Sequence, residues 1–152
     1  MLPAALVLTG TAYGQPVRTD HQSCAPSNLR EIKRAFEMDM KHKDLRVLAL
    51  YTPDAIFTQP DGTRISGAVP LRNLFVHVFE TFDSDLHLRD GEILASMQGD
   101  CLDEGVFTER LRDRASGKVM LAKGKYRFSY QRAGHGNWRF RSMAWPQSTG
   151  SE

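Results

Sequence analysis

The segment after residue 70 predicts a helix with one uninterrupted apolar face. Its apolar residues recur at intervals of three and four, the spacing of one side of an α-helix. They are Leu71, Leu74, Phe75, Val78, Phe79 and Phe82. Pro70 suits the first turn of this helix. Because an apolar face of this length must be buried against another layer, we expect the rest of the chain to supply a sheet.

Four long segments after this helix have the character of strands. They span residues 83–98, 102–112, 119–131 and 138–145. In the third segment, Tyr126, Phe128 and Tyr130 share one face and polar residues occupy the other, which is the period of two expected of a half-buried strand. Turn-forming residues separate the segments. We therefore predict an α+β fold in which these strands form an antiparallel sheet.

The residues before the long helix predict two shorter helices. The first begins near Leu29, where Ser27 or Asn28 can serve as the N-cap, and it ends near residue 43. Asp44 can cap a second, short helix. Together with the long helix they make three helices ahead of the four strands.

Length and charge limit the class of protein. The 152 residues fit one domain, which we place at residues 27–147. The 20 basic and 18 acidic residues are spread along the chain, so no basic block indicates nucleic acid as a partner. Basic residues are denser between 118 and 141, where a solvated strand face and a phosphate-binding patch are both open interpretations. The histidines lack metal-ligand spacing and no phosphate loop occurs, so we expect neither a metal nor another cofactor.

The first residues have the pattern of a truncated secretory signal. An apolar run at 2–8 precedes a small-x-small pattern at 12–14. We expect 1–14 to be a signal-peptide remnant, 15–26 a flexible lead-in and 148–152 a tail. The run is too short to span a bilayer, which needs ~20 residues. With a signal the protein would be periplasmic or secreted, and otherwise it would be cytoplasmic.

The chain has two cysteines, Cys24 and Cys101. In an exported protein they could form one disulfide. Two unpaired thiols are the alternative, because the spacing alone does not show whether the residues are close enough to bond.

A short hairpin between the second and the long helix carries a family resemblance. Its sequence is Y-T-P-D-A-I-F-T-Q-P-D-G-T-R-I-S-G from Tyr51 to Gly67, with strands at 55–59 and 63–66 around a Pro-Asp-Gly turn. The order of elements, with Gly105 in mid-strand and Trp145 ending the last strand, resembles the SnoaL-like and ketosteroid-isomerase-like branch of the nuclear-transport-factor-2-like superfamily. The resemblance covers residues 29–145.

This resemblance implies a cone in which three helices pack on a curved antiparallel sheet. It also implies a pocket at the open end of the cone and a homodimer formed through the outer face of the sheet. In ketosteroid isomerases the position of Gln59 carries a catalytic carboxylate, and the two oxyanion donors fall on Ala35 and near Tyr126 in this chain. An amide cannot take up a proton near neutral pH. The steroid-isomerase reaction is therefore not expected here, and Gln59 is expected to hydrogen-bond a ligand.

Three other groups are candidates for acid–base chemistry in such a cone, namely Asp39, His77 and Glu109. The alternatives are a solvated surface position for Asp39 and His77 and a cross-strand ion pair for Glu109. The candidate ligand-binding residues are Tyr51, Gln59, Tyr126 and Trp145.

We predict a pocket protein for a small apolar molecule. It could be a cofactor-independent isomerase, cyclase, dehydratase or hydrolase. The alternatives are a non-catalytic ligand binder and a dimeric assembly module.

Overall fold

The computed structural model describes residues 24–96, 99–133 and 137–146. Its elements are α1 (Pro26–His42), a 3-10 helix (Leu45–Leu50), β1 (Tyr51–Thr58), β2 (Arg64–Ser66), α2 (Ala68–Thr81), β3 (Phe82–Ala95), β4 (Cys101–Asp113), β5 (Val119–Ala133) and β6 (Asn137–Ala144). The predicted signal remnant, most of the lead-in, the tail and parts of two predicted turns lie outside the described residues.

All six strands form one sheet in the order β2-β1-β6-β5-β4-β3. The four long strands pair antiparallel, as predicted. The prediction of a wholly antiparallel sheet was wrong in one place, because β1 pairs parallel with β6. The backbone amide of Trp145 extends this contact by donating to the carbonyl of Thr58 at 3.2 Å. Parallel pairing joins segments far apart in sequence, so no local turn residue signals it.

Two helices differ from the prediction: α1 begins earlier and has a different N-cap, and the second helix is of another type. α1 begins at Pro26 with Ala25 at the N-cap and no side-chain cap, so neither Ser27 nor Asn28 has the predicted role. Proline suits this position because its fixed φ matches the helix and because an N–H in the first turn would have no partner within the helix. The second helix is a 3-10 helix, capped as predicted by Asp44, whose carboxylate accepts from the amide of Arg46 at 2.9 Å.

The core lies between the helices and one face of the sheet. The α2 stripe buries Leu71, Phe75 and Phe79, and the predicted inner face of β5 buries Tyr126, Phe128 and Tyr130. Burying large aromatic side chains supplies most of the apolar stabilisation in a core of this size. Among the described residues, no helix has the length and apolar character needed to cross a membrane.

A disulfide ties the start of α1 to the sheet. Cys24 and Cys101 are bonded in the structure, with their Cα atoms 5.6 Å apart and both side chains buried. Cys101 is the first residue of β4. The bond therefore holds the start of α1 next to β4. This strand forms the middle of the candidate site.

Candidate functional site

A cleft of about 990 Å³ opens between α1 and the strands β3, β4 and β5. It is lined by Arg30, Lys33, Arg34, Glu37, His87, Leu88, Arg89, Asp90, Val106, Phe107, Thr108, Lys123, Gly124, Lys125 and Pro146. This volume lies at the upper end of the range of small-molecule pockets in proteins.

The floor of the cleft is apolar because of two residues that face each other across a strand pair. Phe107 on β4 lies opposite Gly124 on β5, so the residue directly across from the phenyl ring adds no side chain beside it. Trp145 packs edge-on against Phe107 at a centroid distance of 5.0 Å and supports it from within. Leu88, which pairs with Phe107 from the β3 side, completes the floor.

The α1 wall is polar, and its central residue is a buried lysine. The side chain of Lys33 is only 3% exposed, and its ammonium lies 2.9 Å from Asp103, whose side chain is fully buried. The ammonium also donates to Asp90 at 2.5 Å and to the hydroxyl of Tyr126 at 3.3 Å. Tyr130 donates to Asp103 at 2.8 Å. This buried polar network joins α1 to three strands.

A bulge in β3 turns Asp90 towards α1. The pairing of β3 with β4 shifts between Arg89 and Glu92, and a bulge re-aims the side chains next to it. Gly91 is required here because a Cβ at this position would overlap the carbonyl of Glu104. The Asp90 carboxylate thereby also reaches the guanidinium of Arg30 at 3.1 Å.

Another acid on α1 contacts the backbone of the same strand. The carboxylate of Glu37 accepts from the amide of Leu88 at 2.8 Å. β3 is the last strand of the sheet, so this amide faces away from β4. The Glu37 carboxylate is therefore held by the backbone of β3.

The charges of the network are fixed by these contacts. Burial by itself would lower the pKa of Lys33, but hydrogen bonds to Asp90 and Asp103 outweigh it and raise the pKa above its usual value. Burial opposes ionisation of Asp90, yet Lys33 and Arg30 lower its pKa. Burial and the Asp103 carboxylate raise the pKa of Tyr126 to about 12. Near neutral pH the lysine stays protonated and the tyrosine stays neutral, so neither acts as a base.

None of the three candidate acid–base residues is among the described residues that line the cleft. Asp39 is half-buried near the end of α1, where burial and Asp44 raise its pKa. His77 lies on the exposed side of α2. Glu109 is half-buried on the inner face of β4 and accepts from Ser84 at 2.8 Å. Burial raises the pKa of Glu109, and the Ser84 hydroxyl offsets part of the rise.

The four candidate ligand-binding residues are divided between the core, the hairpin and the surroundings of the cleft. Tyr51 is buried, and its hydroxyl donates to the sulfur of Met143 at 3.2 Å. Gln59 lies in the hairpin turn, where its backbone bonds to Thr63 and Gly62. Tyr126 belongs to the buried network. Trp145 supports the floor, and its indole N–H is buried with no hydrogen-bond partner among the described residues.

Sequence reasoning missed Lys33, Asp90 and Asp103, although two of them carry a signal. Lys33 lies one turn from Leu29 and Phe36 on the apolar side of α1, and Asp103 alternates in phase with Cys101 and Gly105. A charged residue at an inward position predicts a buried partner. Asp90 had no such signal, because the bulge changes which way it points.

The sequence matches no protein-family model, and it has no significant match among curated proteins. Solved structures match over most of the chain. A ketosteroid isomerase-like protein from Erwinia carotovora atroseptica superposes with a TM-score of 0.71 and 18% identity over 82% of this chain and 96% of that chain.

Two further structures agree with this match. A conserved protein from Planctomyces limnophilus gives a TM-score of 0.71 at 16% identity, covering 79% of this chain and 93% of that chain. A nuclear transport factor 2-like superfamily protein from Salmonella enterica gives 0.67 at 16% identity, covering 82% and 92%. The architecture and these superpositions together show that the chain has the nuclear-transport-factor-2-like fold.

Proposed function

We propose that this protein binds a small molecule in the cleft between α1 and the strands β3–β5. The observation that carries this proposal is the cleft itself, with an apolar floor at Phe107 and Gly124 and charged groups along α1. Ligand pockets generally combine a mainly apolar lining with a few placed polar groups.

Binding without catalysis is the function that the lining favours. A general base needs a titratable group within hydrogen-bond reach of the substrate. Within the described lining, Lys33 and Asp90 are held in their charged forms by each other, and Glu37 is engaged by Leu88. These contacts keep Lys33 and Asp90 charged and tie the Glu37 carboxylate to the strand.

An isomerase, cyclase, dehydratase or hydrolase acting on a small apolar substrate is the second candidate. Glu109 favours it, because this half-buried carboxyl has a raised pKa and lies on the same strand face as Phe107. The substrate would have to reach further along β4 than the cleft lining does.

Filling the floor tests the binding proposal. Gly124→Phe places a ring opposite Phe107, and we expect it to abolish the melting-temperature shifts that a library of small aromatic and aliphatic molecules produces with the unmodified protein. Such shifts arise because a ligand that binds only the native state stabilises it. Leu121→Phe is the matched control, because this side chain is exposed on the same strand and outside the cleft lining. A library with no binder, or binders unaffected by Gly124→Phe, would refute the proposal.

The outer face of the sheet supports a second proposal, a homodimer. A row across the sheet carries Ile56, Ser142, Ser129, Leu102 and Leu94, in which the three apolar side chains are exposed. The next row places Arg127 beside Glu104 at 2.9 Å. A two-fold axis along the strands would set Arg127 of each copy near Glu104 of the other, and self-complementarity of this kind is what a two-fold interface requires.

Leu102→Asp is expected to convert this dimer to a monomer, because it would bury two carboxylates at the centre of the interface. Sedimentation equilibrium measures the mass of each variant. Val69→Asp is the control, since Val69 is exposed on α2 and away from the sheet. A monomeric unmodified protein, or a Leu102→Asp variant that remains dimeric, would exclude this interface.

The disulfide suggests where the protein works. Disulfides form and persist in oxidising compartments, and Cys24 and Cys101 are bonded. We propose a periplasmic or secreted location on this basis.

A further inference from the structure

The charged residues of the cleft are unequally compensated. Six of the lining residues are lysine or arginine and two are aspartate or glutamate. Both acids already have partners, since Asp90 together with the buried Asp103 compensates Lys33 and Arg30 and Glu37 accepts from the backbone amide of Leu88. On the α1 wall, one positive charge therefore has no ion-pair partner among the described residues.

Arg34 carries this unpaired positive charge of the α1 wall. It lies one residue beyond Lys33 and is exposed. Across the described residues it makes no ion pair or hydrogen bond through its guanidinium, whereas Arg30, one turn earlier, is paired with Asp90. Arg89, Lys123 and Lys125 neighbour the floor residues Leu88 and Gly124 in sequence, but strand alternation places their side chains on the outer face of the sheet. Charges in a cleft act more strongly on a ligand than the same charges on a convex surface.

The floor opposite the α1 wall presents apolar groups to a ligand. The phenyl ring of Phe107, the side chain of Leu88 and Pro146 lie along it. A ligand that satisfies both sides has an apolar body and an anionic end. The planar guanidinium of an arginine matches a planar carboxylate through two parallel hydrogen bonds.

We propose that the cleft selects small organic carboxylates, with the apolar body on Phe107 and the carboxylate at Arg34. This inference rests on the proposed function and narrows its ligand class. It also explains how Lys33 contributes without contacting the ligand directly. Lys33 fixes Asp90 and Arg30 on one side of Arg34, so that Arg34 keeps no acidic partner within the wall.

Two probes of equal shape test the proposal. Isothermal titration calorimetry is carried out on the full chain with 1-naphthoate and with the uncharged 1-naphthamide. We expect the carboxylate to bind about tenfold more tightly, the factor associated with one charge-assisted contact. The difference should shrink as salt is raised from low to high ionic strength, because Arg34 is exposed and its charge is screened.

Arg34→Gln is expected to remove the preference for naphthoate and to leave naphthamide binding unchanged. Arg72→Gln is the matched control, since Arg72 is an exposed arginine on α2 outside the cleft lining. It should keep the full preference. Circular dichroism melting of both variants confirms that the fold is intact, which is expected because neither guanidinium has an ion-pair partner among the described residues.

The outcomes separate this inference from the proposed function. Equal binding of the two probes, or an unchanged preference in Arg34→Gln, overturns the carboxylate proposal. If Gly124→Phe still abolishes both affinities in that case, the cleft remains a binding site for uncharged molecules. If neither probe binds, the carboxylate proposal also fails, and the neutral library then decides whether the cleft binds anything.

Discussion

Replacing Lys33 by methionine is expected to lower the free energy of unfolding by about 3–5 kcal/mol, the usual cost of removing one partner from a buried ion pair. Asp103 is fully buried and lies 2.9 Å from the lysine ammonium. Without Lys33 its partners within the described part of the chain are the hydroxyls of Tyr126 and Tyr130. An uncompensated carboxylate in this position must either pay for its desolvation or take up a proton. Urea denaturation followed by tryptophan fluorescence measures the loss.

Two variants separate this effect from general damage. Lys33→Met combined with Asp103→Asn should recover most of the lost stability, because the neutral amide still accepts from Tyr130 and leaves no charge unpaired. Arg46→Met breaks an exposed ion pair with Asp44 and should cost about 0–1 kcal/mol. If Lys33→Met costs no more than Arg46→Met, the buried network does not stabilise the fold as proposed.

Removing the disulfide is the second change with a large expected effect. Cys24 and Cys101 are separated by 77 residues, and closing a loop of that length stabilises the folded chain by about 4 kcal/mol through the entropy of the unfolded state. Cys24→Ser combined with Cys101→Ser should therefore lose about that amount. The unmodified protein in excess dithiothreitol should unfold at the same urea concentration as this variant.

Single substitutions provide the control for the disulfide. The bond is lost in Cys24→Ser or Cys101→Ser alone as completely as in the pair, so the losses of the two single variants should not add up to that of the pair. Additive losses would mean that the two buried side chains matter through their packing and not through the bond. Equal midpoints for the oxidised and reduced protein would rule out a stabilising bond altogether.

The predictable part of the fold is the part whose signals are local. The α2 stripe and the alternation of Tyr126, Phe128 and Tyr130 are periodic over a few residues. The structure buries the three β5 residues and Leu71, Phe75 and Phe79 of the stripe, whereas Leu74 and Val78 are partly buried and Phe82 is the first residue of β3. The N-terminus of α1 was misplaced because its helix starts on Pro26 and has no side-chain cap. The parallel contact between β1 and β6 could not be predicted, since it depends on the path of the whole chain.

The candidate site was harder to predict, because its central contacts join distant segments. Lys33 and Asp103 are 70 residues apart and each is an isolated charge in an apolar pattern. Either could have been taken for a boundary or a surface position. Asp90 meets them only through the bulge at Gly91. His77 has a side chain suited to acid–base chemistry and is recognised as a candidate from the sequence. Lys33 and Asp103 stand out only once their burial, which requires a charged partner, is known.

The hydrogen bond from Leu88 to Glu37 also has a consequence for how the protein behaves in crowded solution. β3 is a terminal strand of 14 residues, and a strand of that length with open backbone groups is a template on which other chains can assemble into aggregates. The Glu37 carboxylate occupies one of those amides, and the bulge at Gly91 breaks the straight run of the rest. Glu37 and the bulge thus hinder the pairing of strands from other chains with this edge of the sheet.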